Sequence, residues 1–288
     1  MKSTILVTGA NGQVGYELKN LAAQYPNFQF VFTTRQGLDI TNPEAIQALF
    51  AEYSIDYCIN CAAYTAVDKA ETETELAQAV NVEGVKNLAH ACFTHQAQLI
   101  HFSTDYVYHT DHQKPYKETD QTSPKTIYAK TKLEGERVAT TLLPSTIIIR
   151  TSWVYSSHGN NFVKTMLKLG RKLDNLNVIF DQIGTPTYAR DLAQATLQII
   201  KSHADLTPYS GIYHYSNEGV TSWYDFATAI FEYKNIDCPI QPIETKDYPT
   251  PAKRPHFSVL NKTKIKTTFN LSIPHWQVSL KACLDLLD

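Results

Sequence analysis

The sequence has no run of about eighteen unbroken apolar residues, so no transmembrane helix is expected. It has no marked excess of either charge: 26 Lys and Arg against 28 Asp and Glu leave a formal −2, which gives no electrostatic reason for a nucleic acid or an anionic membrane as partner. A small-molecule ligand is the default. Cysteines are few, odd in number and scattered: Cys58, Cys61, Cys92, Cys238 and Cys283 form no disulfide framework and fit a reducing compartment. Cys58 and Cys61 lie in a stretch that reads as a buried strand, where residues three apart face opposite sides, so they are not expected to share a metal. The opening MKSTILVTGANGQVG has too short an apolar run for a secretory signal and lacks its cleavage pattern, so a cytosolic location is expected. There is no internal repeat and no low-complexity tract.

What is present is alternation. Strand-like runs at 4–8, 29–33, 57–60, 99–103 and 146–150 are separated by helical patterns at 13–23, 43–53, 75–95 and 127–142. Repeated β-α-β order predicts an α/β fold, a Rossmann-like doubly wound parallel sheet, with a smaller carboxy-terminal substrate-binding lobe. Residues 1–151 are expected to form the dinucleotide-binding domain, with a later segment, about 177–210, returning to it; residues 152–288 are expected to form mainly the substrate lobe. In that half, helices are expected at 162–172, 189–203, 223–233 and 276–287, and strands at 178–180 and 212–215. Five prolines between 239 and 255 predict extended chain wrapping a surface or cleft.

The first βα turn reads TGANGQVG, placing Gly9, Gly12 and Gly15 between a strand and a helix start. Glycine permits a tight turn and close approach to a pyrophosphate, and a helix N-terminus offers free N–H groups, so dinucleotide binding is expected. After the second strand, an NAD site normally presents an acid to the ribose 2′-hydroxyl; Thr34 and Arg35 stand there instead, a pair suited to a 2′-phosphate. Asp39 either lies near the adenine or caps the helix beginning near Pro43. The fourth strand ends in FSTDY, bringing Thr104 and Asp105 to the carboxyl edge of the sheet. Downstream, IYAKTKLEGE sets Tyr128 and Lys132 one helical turn apart on one face. A nearby ammonium favours the phenolate and would bring the phenol toward a working pH. Such a pair is common by chance and carries weight only in company with the turn and the strand end.

Together these features resemble the extended short-chain dehydrogenase/reductases. More narrowly, GQVGYEL, AAYTAVDKAE, FSTDYVY, YAKTKLEGE, RTSWVY, GNNFVKTM and YPTPAKRP resemble the dTDP-4-dehydrorhamnose reductase family, nearly end to end and in order. The resemblance implies hydride transfer from NADPH, with NADH as a second choice, to the C4 ketone of a dTDP-linked 6-deoxyhexulose. It implies that Tyr128 donates the proton, Lys132 holds the nicotinamide ribose and tunes Tyr128, and Thr104 bonds near the ketone, with no metal in the chemistry. It extends the cofactor set to Asn11, Gln13, Val14, Ile40, Ala62, Ala63, Tyr64, Thr65 and Phe102. It assigns Val67, Lys69, Asp105, Trp153, Asn161, Phe162 and Arg254 to the substrate side, Arg254 as a partner of the pyrophosphate. Two other classes share the pattern: a non-catalytic regulatory subunit of the methionine adenosyltransferase β type, and a sugar-nucleotide epimerase.

Some members of the family dimerise through magnesium held by glutamates of two subunits. Glu17 matches one of these, but Arg190 stands where the second belongs, so a monomer or a metal-independent dimer is expected, a Glu17–Arg190 pair between subunits being one way to join it. His109 and His112 lack a carboxylate at zinc-protease spacing and read as a solvated loop; Trp223 to Phe226 reads as helix packing.

Overall fold

The computed structural model describes residues 2–110 and 113–287, so the H-x-x-H pattern, which includes His112, lies partly outside the described residues. In chain order the first half comprises β1 (Ser3–Thr8), α1 (Gln13–Leu21), β2 (Phe28–Phe32), α2 (Pro43–Tyr53), β3 (Tyr57–Asn60), α3 (Val67–Ala70), α4 (Thr74–Gln78), α5 (Gly84–Thr94), β4 (Gln98–Thr104), α6 (Ile127–Leu142) and β5 (Ile147–Thr151). With the strand Gly211–Tyr215 they build a six-stranded sheet in which β5 lies next to Gly211–Tyr215, followed by β4, β3, β1 and β2, every pairing parallel. This is the doubly wound architecture expected.

The strands alternate because both faces are covered. Ile5, Val7, Ile59, Ile100, Phe102, Ile147 and Ile149 join one buried cluster, while Leu6, Cys58, Leu99 and Ile148 join the other with α2, α5 and α6. Each fully buried Ile or Leu contributes roughly 1.5–3 kcal/mol, so a one-residue slip of register would be prohibitive. The helix Ala189–Ser202 adds Leu192, Leu197, Ile199 and Ile200 to the first cluster and packs on α1.

One expected element is divided. The pattern at 75–95 predicts a single helix, but α4 and α5 are joined by a π turn at Ala79–Glu83. There Asn81 faces inward, accepting from Tyr64 N at 2.9 Å and donating to Tyr64 O at 3.1 Å and Thr131 Oγ1 at 3.2 Å. The extra residue per turn aims this amide, which 3.6-residue periodicity does not reveal. Asp39 does not cap α2: Asn42 does, accepting from Glu44 N and Ala45 N, while Asp39 closes its own turn on Thr41 N at 2.9 Å.

The second half centres on a third cluster, in which Met166, Phe226, Ile230, Trp276 and Leu280 unite the helices Phe162–Gly170, Trp223–Lys234 and Trp276–Leu284. The proline-rich segment is extended only in part: Ile240–Ile243 pairs parallel with Leu176–Ile179, a 3₁₀ turn follows at Thr245–Asp247, and Ala252 N then donates to Asp68 Oδ1 at 3.1 Å, carrying the chain to α3. Among the described residues no helix is long and apolar enough to cross a membrane.

Candidate functional site

β1 is flanked by β2 on one side and β3 on the other, so its carboxyl end is the topological switch point of the sheet. Gly9 turns there at φ +63°, and a Cβ on it would lie 2.7 Å from Ala62 N, so glycine is required on both counts. A Cβ on Gly15 would lie 2.5 Å from Gly9 O: this residue lets α1 press onto its own turn rather than touching a ligand. Gly12 is the N-cap of α1 and has no side chain to occupy the first N–H groups. A cavity of about 480 Å³ opens beside the turn, bounded by Gly9, Asn11, Gly12, Thr34, Arg35, Asp39, Ile40, Ala62, Ala63 and Tyr64. Arg35 lies at its exposed mouth, 3.8 Å from Asp39.

Asn11, Gly12 and Ala63 also bound a second cavity of about 590 Å³ with Gln13, Val14, Thr65, Val67, Phe102, Thr104, Asp105, Tyr128, Lys132 and Trp153. The two cavities therefore meet at the glycine turn. α6 carries Tyr128 and Lys132 inward because Thr126 caps it, its hydroxyl accepting from Ala129 N at 3.1 Å, and because Gly135 admits the π turn so closely that a Cβ would lie 2.2 Å from Asn81 O. Beneath them Arg150 of β5 forks onto Glu136 of α6 at 2.9 and 2.6 Å, and Ser103 of β4 donates to the same carboxylate. Helix and two strands are thus clamped by one buried ion pair.

Burial pushes the Tyr128 phenol up to about 12, although the Thr104 hydroxyl works against it. Burial draws Lys132 down to about 8, and its Nζ donates to Phe102 O at 2.6 Å. The expectation that Lys132 lowers the phenol is not met here: desolvation, which disfavours either charged form, dominates, and the Asp105 carboxyl adds to it. Tyr128 is a protonated acid at neutral pH. Asp105 is also buried, and burial pushes it from 3.8 up to about 7 against the Ser258 and Thr104 hydroxyls; its Oδ2 has no hydrogen-bond partner. Between about pH 4 and about 7 the folded chain keeps a proton that the unfolded chain loses, so this carboxyl's contribution to stability falls as pH rises and levels off above about 7. Asp105→Asn should accordingly stabilise the fold at pH 8 by on the order of a few kcal/mol and change it little at pH 4, as urea unfolding at the two pH values will show.

Four residues assigned to the substrate side bound neither cavity. Asn161 caps its helix through Lys164 N and donates to Gln13 Oε1 at 2.9 Å. Phe162 packs 4.6 Å from the Trp223 ring and, partly buried, lies against the third core cluster. Arg254 is committed to Asp68, with contacts of 3.2 and 2.7 Å, and Lys69 lies in the short α3 beside that pair's loop. Sequence reading missed Trp223. It stacks on Trp153 at 3.5 Å with planes 10° apart and lines the larger cavity, so the 223–226 stretch is only partly packing. No local signal marks it, because the stacking depends on Trp153 adopting φ +48° seventy residues earlier.

Arg190 pairs with Glu17 within one chain, Nη1 to Oε2 at 3.6 Å, while Ser156 Oγ donates to Glu17 Oε1 at 2.6 Å. The pair forms within one chain, where it neutralises the buried carboxylate.

The glycine turn at the switch point thus opens on a cavity that gathers Thr104, Tyr128 and Lys132. The family model of the RmlD substrate binding domain matches residues 1–288. The chain belongs to that family. Within the RmlD family it is 44% identical to the dTDP-4-dehydrorhamnose reductase of Aggregatibacter actinomycetemcomitans, over 96% of this chain and 97% of the relative. The structure of the dTDP-4-dehydrorhamnose reductase of Clostridium acetobutylicum superposes with a TM-score of 0.93 at 43% identity, covering 99% of both chains. That of the Bacillus anthracis enzyme, in complex with NADP, gives 0.93 at 36% identity, again over 99% of both chains.

Proposed function

We propose that the chain is an NADPH-dependent reductase that converts the C4 ketone of dTDP-4-dehydro-6-deoxy-L-mannose to the alcohol of dTDP-L-rhamnose. The observation that carries this reading is the convergence of Thr104, Tyr128 and Lys132 on a cavity continuous with the glycine turn, in a family whose relatives are named for that reaction. The uncapped N-terminus of α1 and the bare Cα of Gly9 and Gly12 suit a pyrophosphate, so the turn fits a dinucleotide. Asn11 to Val14, Ala62 to Thr65 and Phe102 would hold it along the sheet edge, with Thr34, Arg35, Asp39 and Ile40 at the adenosine end. When bound, the reduced nicotinamide supplies the hydride.

The chain's own residues do the rest. Tyr128, a protonated phenol, gives its proton to the C4 oxygen, and Thr104, hydrogen-bonded to it, orients that oxygen. Val67 and the stacked Trp153 and Trp223 form an apolar wall for a deoxyhexose, with Asp105 as its polar contact. Asn161 and Phe162 act from behind the cleft, through Gln13 and Trp223. Arg254, braced by Asp68, and Lys69 stand toward the anionic end of the substrate. The intact Thr104, Tyr128 and Lys132 favour catalysis over a regulatory subunit. The first and second core clusters, with Ala189–Ser202 added, support a dinucleotide domain of 1–151 joined by 177–210; the third supports a substrate lobe within 152–288. We place the enzyme in the cytoplasm. The test is NADPH oxidation with the keto sugar, followed by identification of the product; no oxidation would end the reading.

Two further outcomes follow. NADPH should be preferred to NADH, because a well-aligned Arg35 contact to the 2′-phosphate is worth roughly 1.5–3 kcal/mol and costs only an exposed, weak pair with Asp39. Arg35→Ala should bring kcat/KM for the two cofactors together; an unchanged ratio counts against the assignment. Assembly should be monomeric or a dimer indifferent to magnesium, since Arg190 already answers Glu17. Sedimentation profiles with EDTA and with magnesium should superimpose, and a dimer lost on chelation would contradict this.

A further inference from the structure

A helix leaves its first N–H groups without partners in its own ladder, and on α6 these flank Tyr128. Thr126 answers one of them, Ala129 N. The Ile127 N–H, on the residue just before the acid, is answered from another element: it donates to Glu71 Oε1 at 2.9 Å, 56 residues away in the chain. Glu71 is half-buried and stands at the end of α3, on a turn with little freedom. Ala70 is fully buried there and its N–H donates to Ala66 O; the N–H groups of Thr72 and Glu73, and the Thr72 hydroxyl, all donate to Lys69 O. A carboxylate at this place also meets the positive end of the α6 dipole.

The other ties of α6 lie further along the helix. Thr131 bonds to Asn81, Lys132 to Phe102 O, and Glu136 to Arg150 and Ser103. The Tyr128 ring meets Tyr106 edge-on at 5.8 Å, a contact with no directional bond. The α3 turn also carries Asp68, which holds Arg254 and the Ala252 N–H. Glu71 therefore ties the peptide leading into Tyr128 to the element that braces the guanidinium assigned above to the anionic end of the substrate.

We propose that Glu71 is a positioning residue for Tyr128: from α3 it holds the first peptide of α6 and so sets the phenol against the substrate carbonyl. The role rests on the reductase reading above; the contact does not. Glu71 bounds neither cavity, so it acts through the helix alone. Proton transfer needs the two heavy atoms within hydrogen-bond reach, and a displacement of about 1 Å can cost about 100-fold in rate. Without the carboxylate, the Ile127 N–H turns to water and the turn that carries the acid frays.

The test compares three variants of the full chain in single-turnover oxidation of NADPH by the keto sugar. Glu71→Gln keeps an acceptor at full reach without the charge and should keep most of the rate. Glu71→Asp keeps the charge but is one methylene too short, and Glu71→Ala has neither; both should be about 10- to 100-fold slower, with NADPH affinity and the KM for the sugar little changed. In a Tyr128→Phe background Glu71→Ala should cost nothing more, because the group it positions is gone. A merely structural role would cost the same factor in both backgrounds. That result overturns the proposal, as does a Glu71→Ala rate near that of the unaltered chain, or a Glu71→Asp rate equal to that of Glu71→Gln. Should Glu71→Ala not fold, the Gln and Asp variants decide, and the background test is run with Glu71→Asp. Hydrogen exchange at the Ile127 amide reads the contact without turnover: it should be slow in the unaltered chain and in Glu71→Gln and faster in Glu71→Asp, and an unprotected amide in the unaltered chain overturns the proposal. Failure of the reductase reading is distinct: the unaltered chain then oxidises no NADPH although its Ile127 amide is protected.

Discussion

Tyr128→Phe is expected to lower turnover of the keto sugar by about 10²- to 10⁴-fold, the usual worth of a positioned general acid, while NADPH binding changes little. The half-buried phenol lines the cavity and its hydroxyl meets Thr104, so the substitution removes one polar group and one proton without opening a new cavity in the core. Steady-state rates and fluorescence titration with NADPH separate the two effects. Turnover near that of the unaltered chain would mean that another group, with Asp105 the nearest acid, delivers the proton.

Arg150→Met is expected to cost roughly 3–5 kcal/mol of stability, the largest structural effect among those considered, because it strands a buried carboxylate. Both side chains of the Arg150–Glu136 pair are 3% exposed, and Arg150 also donates to Tyr108 Oη at 2.6 Å. Removing the guanidinium leaves Glu136 with Ser103 alone, and the carboxylate must then take up a proton or admit water. Since this pair ties α6 to β4 and β5, the loss should also loosen the footing of Tyr128 and Lys132. Urea unfolding measures the first effect. Adding Glu136→Leu should restore much of the stability, since replacing both ions by apolar groups removes the stranded charge. A single variant less than about 1 kcal/mol below the unaltered chain would show that the carboxylate is satisfied elsewhere.

Much of this architecture was legible in the chain because periodicity carries it. Ile5, Val7 and Leu6 alternate as a doubly covered strand must, and Gly9 and Gly15 stand where a Cβ would strike backbone, so with Gly12 they mark the turn. Thr104, Tyr128 and Lys132 were legible for a related reason: strand ends and helical turns fix where their side chains emerge. Three kinds of feature were not. The π turn at Ala79–Glu83 breaks the period from which a helix is read, so a single helix was the natural inference. Trp223 joins the site by stacking on a residue remote in sequence, and Arg254 and Arg190 acquire carboxylate partners, Asp68 and Glu17, that only the fold supplies. The sign of the shift on Tyr128 was missed because spacing shows a neighbouring charge and not the water excluded from both groups.

The central claim is that this cleft moves hydride to a sugar ketone and leaves it there. NADPH carrying deuterium at C4 of the nicotinamide, prepared as each of the two stereoisomers, tests this most directly when mixed with enzyme and the dTDP-linked 4-keto sugar. The account predicts that one isomer, and not the other, delivers a single deuterium to C4 of the hexose with one NADP⁺ formed per sugar. A product without label from either isomer, or a sugar epimerised with no net oxidation of the cofactor, would contradict it.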